Sequence, residues 1–196
     1  MKRYGMAKKI LFTVLSVVLA YNTYKLAIIF FELSQEQFSC VAIIVSAVAF
    51  NLLGTGAVAL LGFVYPTSRM MPGSYYHIRK AKTLDFLYKW LGVEYFRSFL
   101  LKTFYRKEDN KKYFDGTRAG ISLFDYNTRQ SEFGHLVAFI LVFTLSLILL
   151  CEGHWCVFVW MLPFNIFLNF YPILLQRKHR IIVERLMSRM DSKKGS

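Results

Sequence analysis

Four long apolar stretches constrain this chain more than any other feature. They fall near residues 10–31, 38–65, 133–150 and 155–175. A helix needs about 20 apolar residues to cross a bilayer, with about 17 to 25 usual. Backbone groups in lipid must pair within their own segment, so spans of this kind are read as helices. The expected fold is therefore all-α, a polytopic bundle of about four transmembrane helices, with residues 1–196 forming one integral-membrane domain. The opening, "MKRYGMAKK" before an apolar run, has the outline of a secretory signal. No small-residue cleavage site follows cleanly and the run continues to Phe31, so we expect a retained first helix.

The charge supports this reading. The chain is 55% hydrophobic, yet carries 25 Lys and Arg against 12 Asp and Glu, for a net charge of +13. A basic nucleic-acid binder disperses its apolar residues and shows a recognisable module. No zinc knuckle, ribonucleoprotein motif or helix-turn-helix is present, so no nucleic-acid partner is expected. The basic residues are instead one-sided. They precede the first span, fill the loop between the second and third, and crowd the tail after Leu175, while the short loops "ELSQEQ" and "CEGH" hold none. Both termini and the long loop are expected in the cytoplasm, facing anionic lipid heads. Cys40, Cys151 and Cys156 form no metal-ligand pattern. Cys151 and Cys156 either pair on an oxidising side or, as we expect, stay unpaired.

The long loop has its own pattern. Over residues 75–108, Leu84, Leu87, Leu91, Tyr95, Phe99 and Leu100 recur at helical spacing with Lys and Arg between. This predicts a cytoplasmic amphipathic interfacial helix, either a shelf over a site or a helix packed on the bundle's end. "RKEDNKKYFDG" after it reads as a polar turn region.

"NTRQSEFGHLVAFI", Asn127 to Ile140, carries ionisable residues into the third span. Arg129, Glu132 and His135 are three apart and share a helix face. Asn127 or Thr128 is the expected N-cap, and Glu132 in a first turn suits the helix dipole. His135 lies where burial begins, and an ionisable group there points to function. With Gly153 as the hairpin centre, His135 and Asn169 differ in depth by only about 3 Å at ~1.5 Å per residue. Gln176 and Arg177 then fall level with Arg129 and Glu132. The alternative is that the amides tie helices together and the arginines mark the membrane edge.

Several chemistries lack their motifs. There is Glu-x-x-His but no His-Glu-x-x-His, and only one Glu-x-x-His where a di-iron bundle uses two. There is no Gly-x-Ser-x-Gly elbow and no phosphate-binding glycine loop. Metal-free acid–base work remains. An imidazole can deprotonate a hydroxyl with a carboxylate orienting it, and arginines can hold phosphates or an oxyanion.

"TRQSEFGHL" followed by "NFYPILLQRKHR" resembles the glycosyl-diaponeurosporenoate acyltransferase family of small bacterial membrane proteins. The matching positions are Arg129, Ser131, Glu132 and His135, then Asn169, Pro172, Gln176, Arg177 and Arg180. "FDG", Phe114 to Gly116, resembles a weaker family element. The resemblance implies transfer of a fatty acyl chain to a hydroxyl of a glycosylated carotenoid, or more broadly a glycolipid or glycosylated isoprenoid. The expected donor is an acyl thioester such as acyl-CoA, used as co-substrate with no other cofactor and no metal. Catalysis is assigned to His135 as general base with Glu132 orienting it. Substrate binding is assigned to Arg129, Ser131, Asn169, Gln176, Arg177 and Arg180. The competing expectation is a non-enzymatic scaffold or lipid-binding accessory protein of the membrane.

Overall fold

The computed structural model describes residues 5–103 and 117–192. Among them there are helices and no strands. Helix α1 spans Met6–Glu32 and α2 spans Cys40–Val64, capped by Ser39, whose side chain accepts from Ala42 N. Three short helices follow: α3 (Gly73–Tyr76), α4 (Ala81–Trp90) and α5 (Val93–Thr103). Helix α6 runs Arg118–Cys151, and α7 runs Trp155–Asn165. A π-helical turn over Ile166–Phe170 joins α7 to α8, Tyr171–Ser192. Four helical stretches are long and apolar enough to cross a membrane: α1, α2, α6, and the continuous Trp155–Met190 rod.

The burial pattern is that of a membrane bundle. Leu11, Val14, Ile140 and Leu141 are exposed, while Asn51, Glu132, Asn165, Asn169 and Arg180 are buried. Water-soluble proteins sort these residue types the other way. In lipid the outer surface is apolar, and polar side chains turn inward to find partners. One apolar core joins α1, α2, α6 and α7 through Phe30, Phe50, Val142, Leu149 and Met161. A second seats α4 and α5 on α8 through Tyr88, Val93, Phe96, Leu174 and Ile181.

Three expectations change. The helix carrying Arg129, Glu132 and His135 begins at Arg118, not near Phe133. Its N-cap is Thr117, which accepts from Gly120 N, rather than Asn127 or Thr128. Thr128 instead donates back to the Asp125 carbonyl. Hydropathy marks where a helix enters lipid, and this helix starts several turns earlier. Glu132 is therefore mid-helix, and the first-turn dipole does not explain it. The single amphipathic helix is two helices, because Gly92 breaks it at φ 70°. Glycine adopts that left-handed conformation without steric cost. The helix that carries the fourth apolar run does not stop with it at Leu175 but continues through the basic tail to Ser192. The expected hairpin centre is found at Gly153, with φ 90°. The whole expected polar turn region, residues 106–116 with Phe114–Gly116 at its end, lies outside the described residues.

Candidate functional site

The site lies between α6 and the α7–α8 rod, with α2 and the α3 turn closing it. Its deeper part is an amide–imidazole chain. Pro163 sits inside α7, where it has no N–H to give the helix, and the next turn opens into the π segment. Asn165 immediately precedes that turn, Asn169 lies within it, and both are fully buried. Asn165 Nδ2 donates to the Phe139 carbonyl of α6 (3.0 Å), and Asn169 Nδ2 donates to Asn165 Oδ1 (2.9 Å). Asn169 Oδ1 accepts from Thr55 of α2 (3.0 Å) and lies 3.2 Å from His135 Nδ1.

The outer part is a guanidinium–carboxylate cluster one helical turn away. Glu132 is completely buried. Its Oε1 accepts from Arg177 Nε at 2.8 Å, and its Oε2 lies 2.6 Å from Arg180 Nη2, a contact that is not aligned as a hydrogen bond. Arg180 is also completely buried, and its Nε is 3.8 Å from Asp125 Oδ1. Asp125 in turn pairs with Arg129 at 2.8 Å. Three guanidiniums thus share two carboxylates, leaving one positive charge in excess. The α3 turn supplies π-faces to all three. Arg177 lies over Tyr75, and Arg129 and Arg180 lie over Tyr76, with 4.8 to 5.3 Å from each guanidinium carbon to the ring centre. The Tyr76 hydroxyl donates to the Ser68 carbonyl. Burial, and then the charge of Glu132, push the Tyr76 phenol up to about 12 and raise Tyr75 as well.

The expected levels hold: Arg177 and Glu132 meet, and so do His135 and Asn169. The roles differ. Glu132 does not orient His135, because both its oxygens face arginines; the neutral Asn169 amide holds the ring. The carboxylate that Arg129 meets is Asp125, one turn earlier, not Glu132. Ser131 and Gln176 are half-buried on α6 and α8, and no hydrogen bond among the described residues joins them to the cluster. Asp125, Thr55, Tyr75 and Tyr76 join the site beyond the residues expected from sequence. The four-residue spacing of Asp125 and Arg129 is a readable signal. Thr55 and the tyrosines come from distant segments, and no spacing rule reaches them.

Neighbouring contacts brace the site. Gln130, next to Arg129, donates to the Gly62 and Tyr65 carbonyls and to Thr67 Oγ1, and accepts from Ser68 N. Lys178, nearly buried on α8, pairs with Glu94 of α5. That ion pair holds the Glu94 carboxyl below its ordinary value. Two clefts, of about 230 and 250 Å³, lie elsewhere. The first is lined by apolar residues of α6 and α8 with Arg97 and His179, the second by Lys8, Phe12, Phe63 and Val64.

Fold and site together define a polytopic helical membrane protein that buries an imidazole–amide chain against an arginine–carboxylate cluster. Comparison with family models places it more closely. The chain belongs to the glycosyl-4,4'-diaponeurosporenoate acyltransferase family, whose model matches residues 72–189. That match takes in α3 to α8 and omits α1 and α2. Membership implies an acyltransferase family working in a membrane on a glycosylated carotenoid acceptor. The chain has no match among curated proteins or among solved structures.

Proposed function

We propose that this protein is a membrane acyltransferase moving a fatty acyl group from an acyl thioester to a hydroxyl of a glycosylated carotenoid, isoprenoid or related glycolipid. One observation carries the reading: His135, held by Asn169, lies one helical turn from an arginine cluster with excess positive charge. A base for the lipid-borne hydroxyl and an anion site for a phosphate-bearing donor thus adjoin. In the reaction His135 takes the proton of the acceptor hydroxyl as its oxygen attacks the thioester carbonyl. The tetrahedral intermediate collapses, the carbon–sulfur bond breaks, and the departing thiolate recovers the proton from the imidazolium. Arg129 and Arg177, whose side chains keep 37% and 26% of their exposure, are the donor-binding arginines. Arg180, wholly buried, acts by holding Glu132 and Asp125. Ser131 and Gln176 flank the acceptor's path. The termini, the long loop and the helix ends bearing the cluster face the cytoplasm, where a soluble thioester is available.

The test is acyl transfer by the purified chain in lipid nanodiscs, with a glycosylated carotenoid acceptor and mass-spectrometric detection. His135→Ala is expected to lose about 100-fold or more in rate. Undiminished transfer by a folded His135→Ala protein removes His135 from the mechanism. A specific observation favours a second reading, lipid binding without chemistry: an apolar-lined cleft of about 230 Å³ lies between α6 and α8 at Ile121, Phe124, Ile182 and Leu186, away from His135. Lipid analysis of cells with and without the protein separates the two, since only an acyltransferase removes an acylated species when lost.

A further inference from the structure

The amide chain does more than hold His135 in place; it dictates which ring nitrogen carries the proton. The Phe139 carbonyl can only accept, so the Asn165 group facing it at 3.0 Å is its NH₂. Asn165 therefore turns its oxygen to Asn169, which must answer with its own NH₂ at 2.9 Å. Asn169 is left presenting its oxygen, and two donors converge on it, the Thr55 hydroxyl and His135 Nδ1. Each amide orientation is set by its neighbour, and the series ends on a carbonyl that cannot be reversed. Asn165 and Asn169 are 1% and 0% exposed, so water does not compete for these bonds.

We infer that Asn165 and Thr55 are positioning residues that lock His135 in the Nδ1–H tautomer, leaving Nε2 as the bare, proton-accepting nitrogen. The inference rests on the reading of His135 as general base. A neutral amide oxygen suits this place better than a carboxylate, because it accepts the ring N–H without adding a charge to an apolar span. Thr55 occupies the second lone pair of Asn169 Oδ1 and keeps the amide from turning. The π-helical turn keeps Asn165 and Asn169 in register, so that one can address α6 and the other the ring.

The experiment is nitrogen NMR of the full chain in nanodiscs, with ring-labelled histidine and His135 assigned by the signals lost in His135→Gln. Protonated and bare ring nitrogens resonate far apart. In the wild type, the Nδ1–H form is expected to exceed the other about fivefold or more. In Thr55→Val and Asn165→Ala that ratio is expected to collapse to a mixture. A wild-type ring protonated on Nε2 overturns the inference whether or not either variant folds. So does a ratio unchanged in both variants. If the tautomer is as stated but His135→Ala still transfers acyl groups, the lock stands and the base assignment falls.

Discussion

Replacing Glu132 with glutamine removes one negative charge and almost no volume from the most buried part of the site. The cost depends on the two arginines left behind. Arg177 keeps a quarter of its side chain exposed and rests on Tyr75, so water can compensate it. Arg180 is 0% exposed, and its only other carboxylate among the described residues, Asp125, is 3.8 Å away and already paired with Arg129. Breaking a buried pair by removing one partner costs about 3–5 kcal/mol. Asp125 and the remaining amide oxygen place this case near the lower end. We expect a loss of about 3 kcal/mol, roughly two decades in the folded-to-unfolded ratio. The assay is reversible unfolding in mixed micelles, on Glu132→Gln, Arg180→Met and the pair Glu132→Gln with Arg180→Met. The paired change removes both desolvated charges, so it is expected to be less damaging than the sum of its parts by about 2 kcal/mol. A Glu132→Gln protein within about 0.5 kcal/mol of wild type, or a strictly additive pair, refutes the argument that Arg180 depends on Glu132.

Packing and charge elsewhere in the bundle are open to simpler tests. A Cβ at Gly56 would meet the Leu19 side chain at 2.9 Å, and one at Gly54 would meet Val142 at 3.1 Å, whereas Gly134 has nothing within 4 Å. Gly56→Val is therefore expected to cost about 1–3 kcal/mol by unfolding in micelles, and Gly134→Ala to be neutral or stabilising by up to about 1 kcal/mol. The Glu94 carboxyl is held below its ordinary value of 4.5 by its bond to Lys178. The seat of α5 on α8 should be intact above that value and loosen as pH falls through the lowered one, read as faster amide exchange in α5. Glu94→Gln should abolish that dependence. The Tyr76 phenol, raised to about 12, should stay protonated in an ultraviolet titration at pH 11, and its share of stability should fade as pH rises from 10 towards 12. Cys151 is exposed at the end of α6 and should react from outside intact cells with an impermeant maleimide in a Cys40→Ala background. Labelling only after lysis contradicts the proposed orientation.

The helical class was legible because hydropathy is a one-dimensional signal, and a bilayer reads it at fixed length. Depth was legible too: a short hairpin and a fixed rise per residue are enough to bring His135 to Asn169 and Glu132 to Arg177. Partner choice was not. Glu132 lies three residues from both Arg129 and His135, yet it turns to the arginines of another helix. The sequence offers Arg177 and Arg180 only as a cluster at a helix end. Helix starts were hidden for a related reason. Residues 118–132 are polar and helical, and hydropathy is silent about a helix outside lipid. The break at Gly92 needed only a positive φ, which apolar periodicity running through it concealed.

The contacts of Gln130 and Thr55 reach across a boundary that the family match draws. Residues 72–189 carry His135, Glu132 and the arginines, while α1 and α2 lie outside. Yet α2 supplies the hydroxyl on Asn169, and its last turn and the loop beyond supply the carbonyls and the N–H that Gln130 clasps. The first hairpin is thus no detachable membrane tether. Expressed from residue 66 onward, the chain would keep His135, Asn169 and the arginine–carboxylate cluster but lose Thr55 and the wall against which Asn169 and Gln130 are set. A hairpin grafted from another protein would restore the anchoring but not the alignment, unless it brought a hydroxyl and two carbonyls to the same depths.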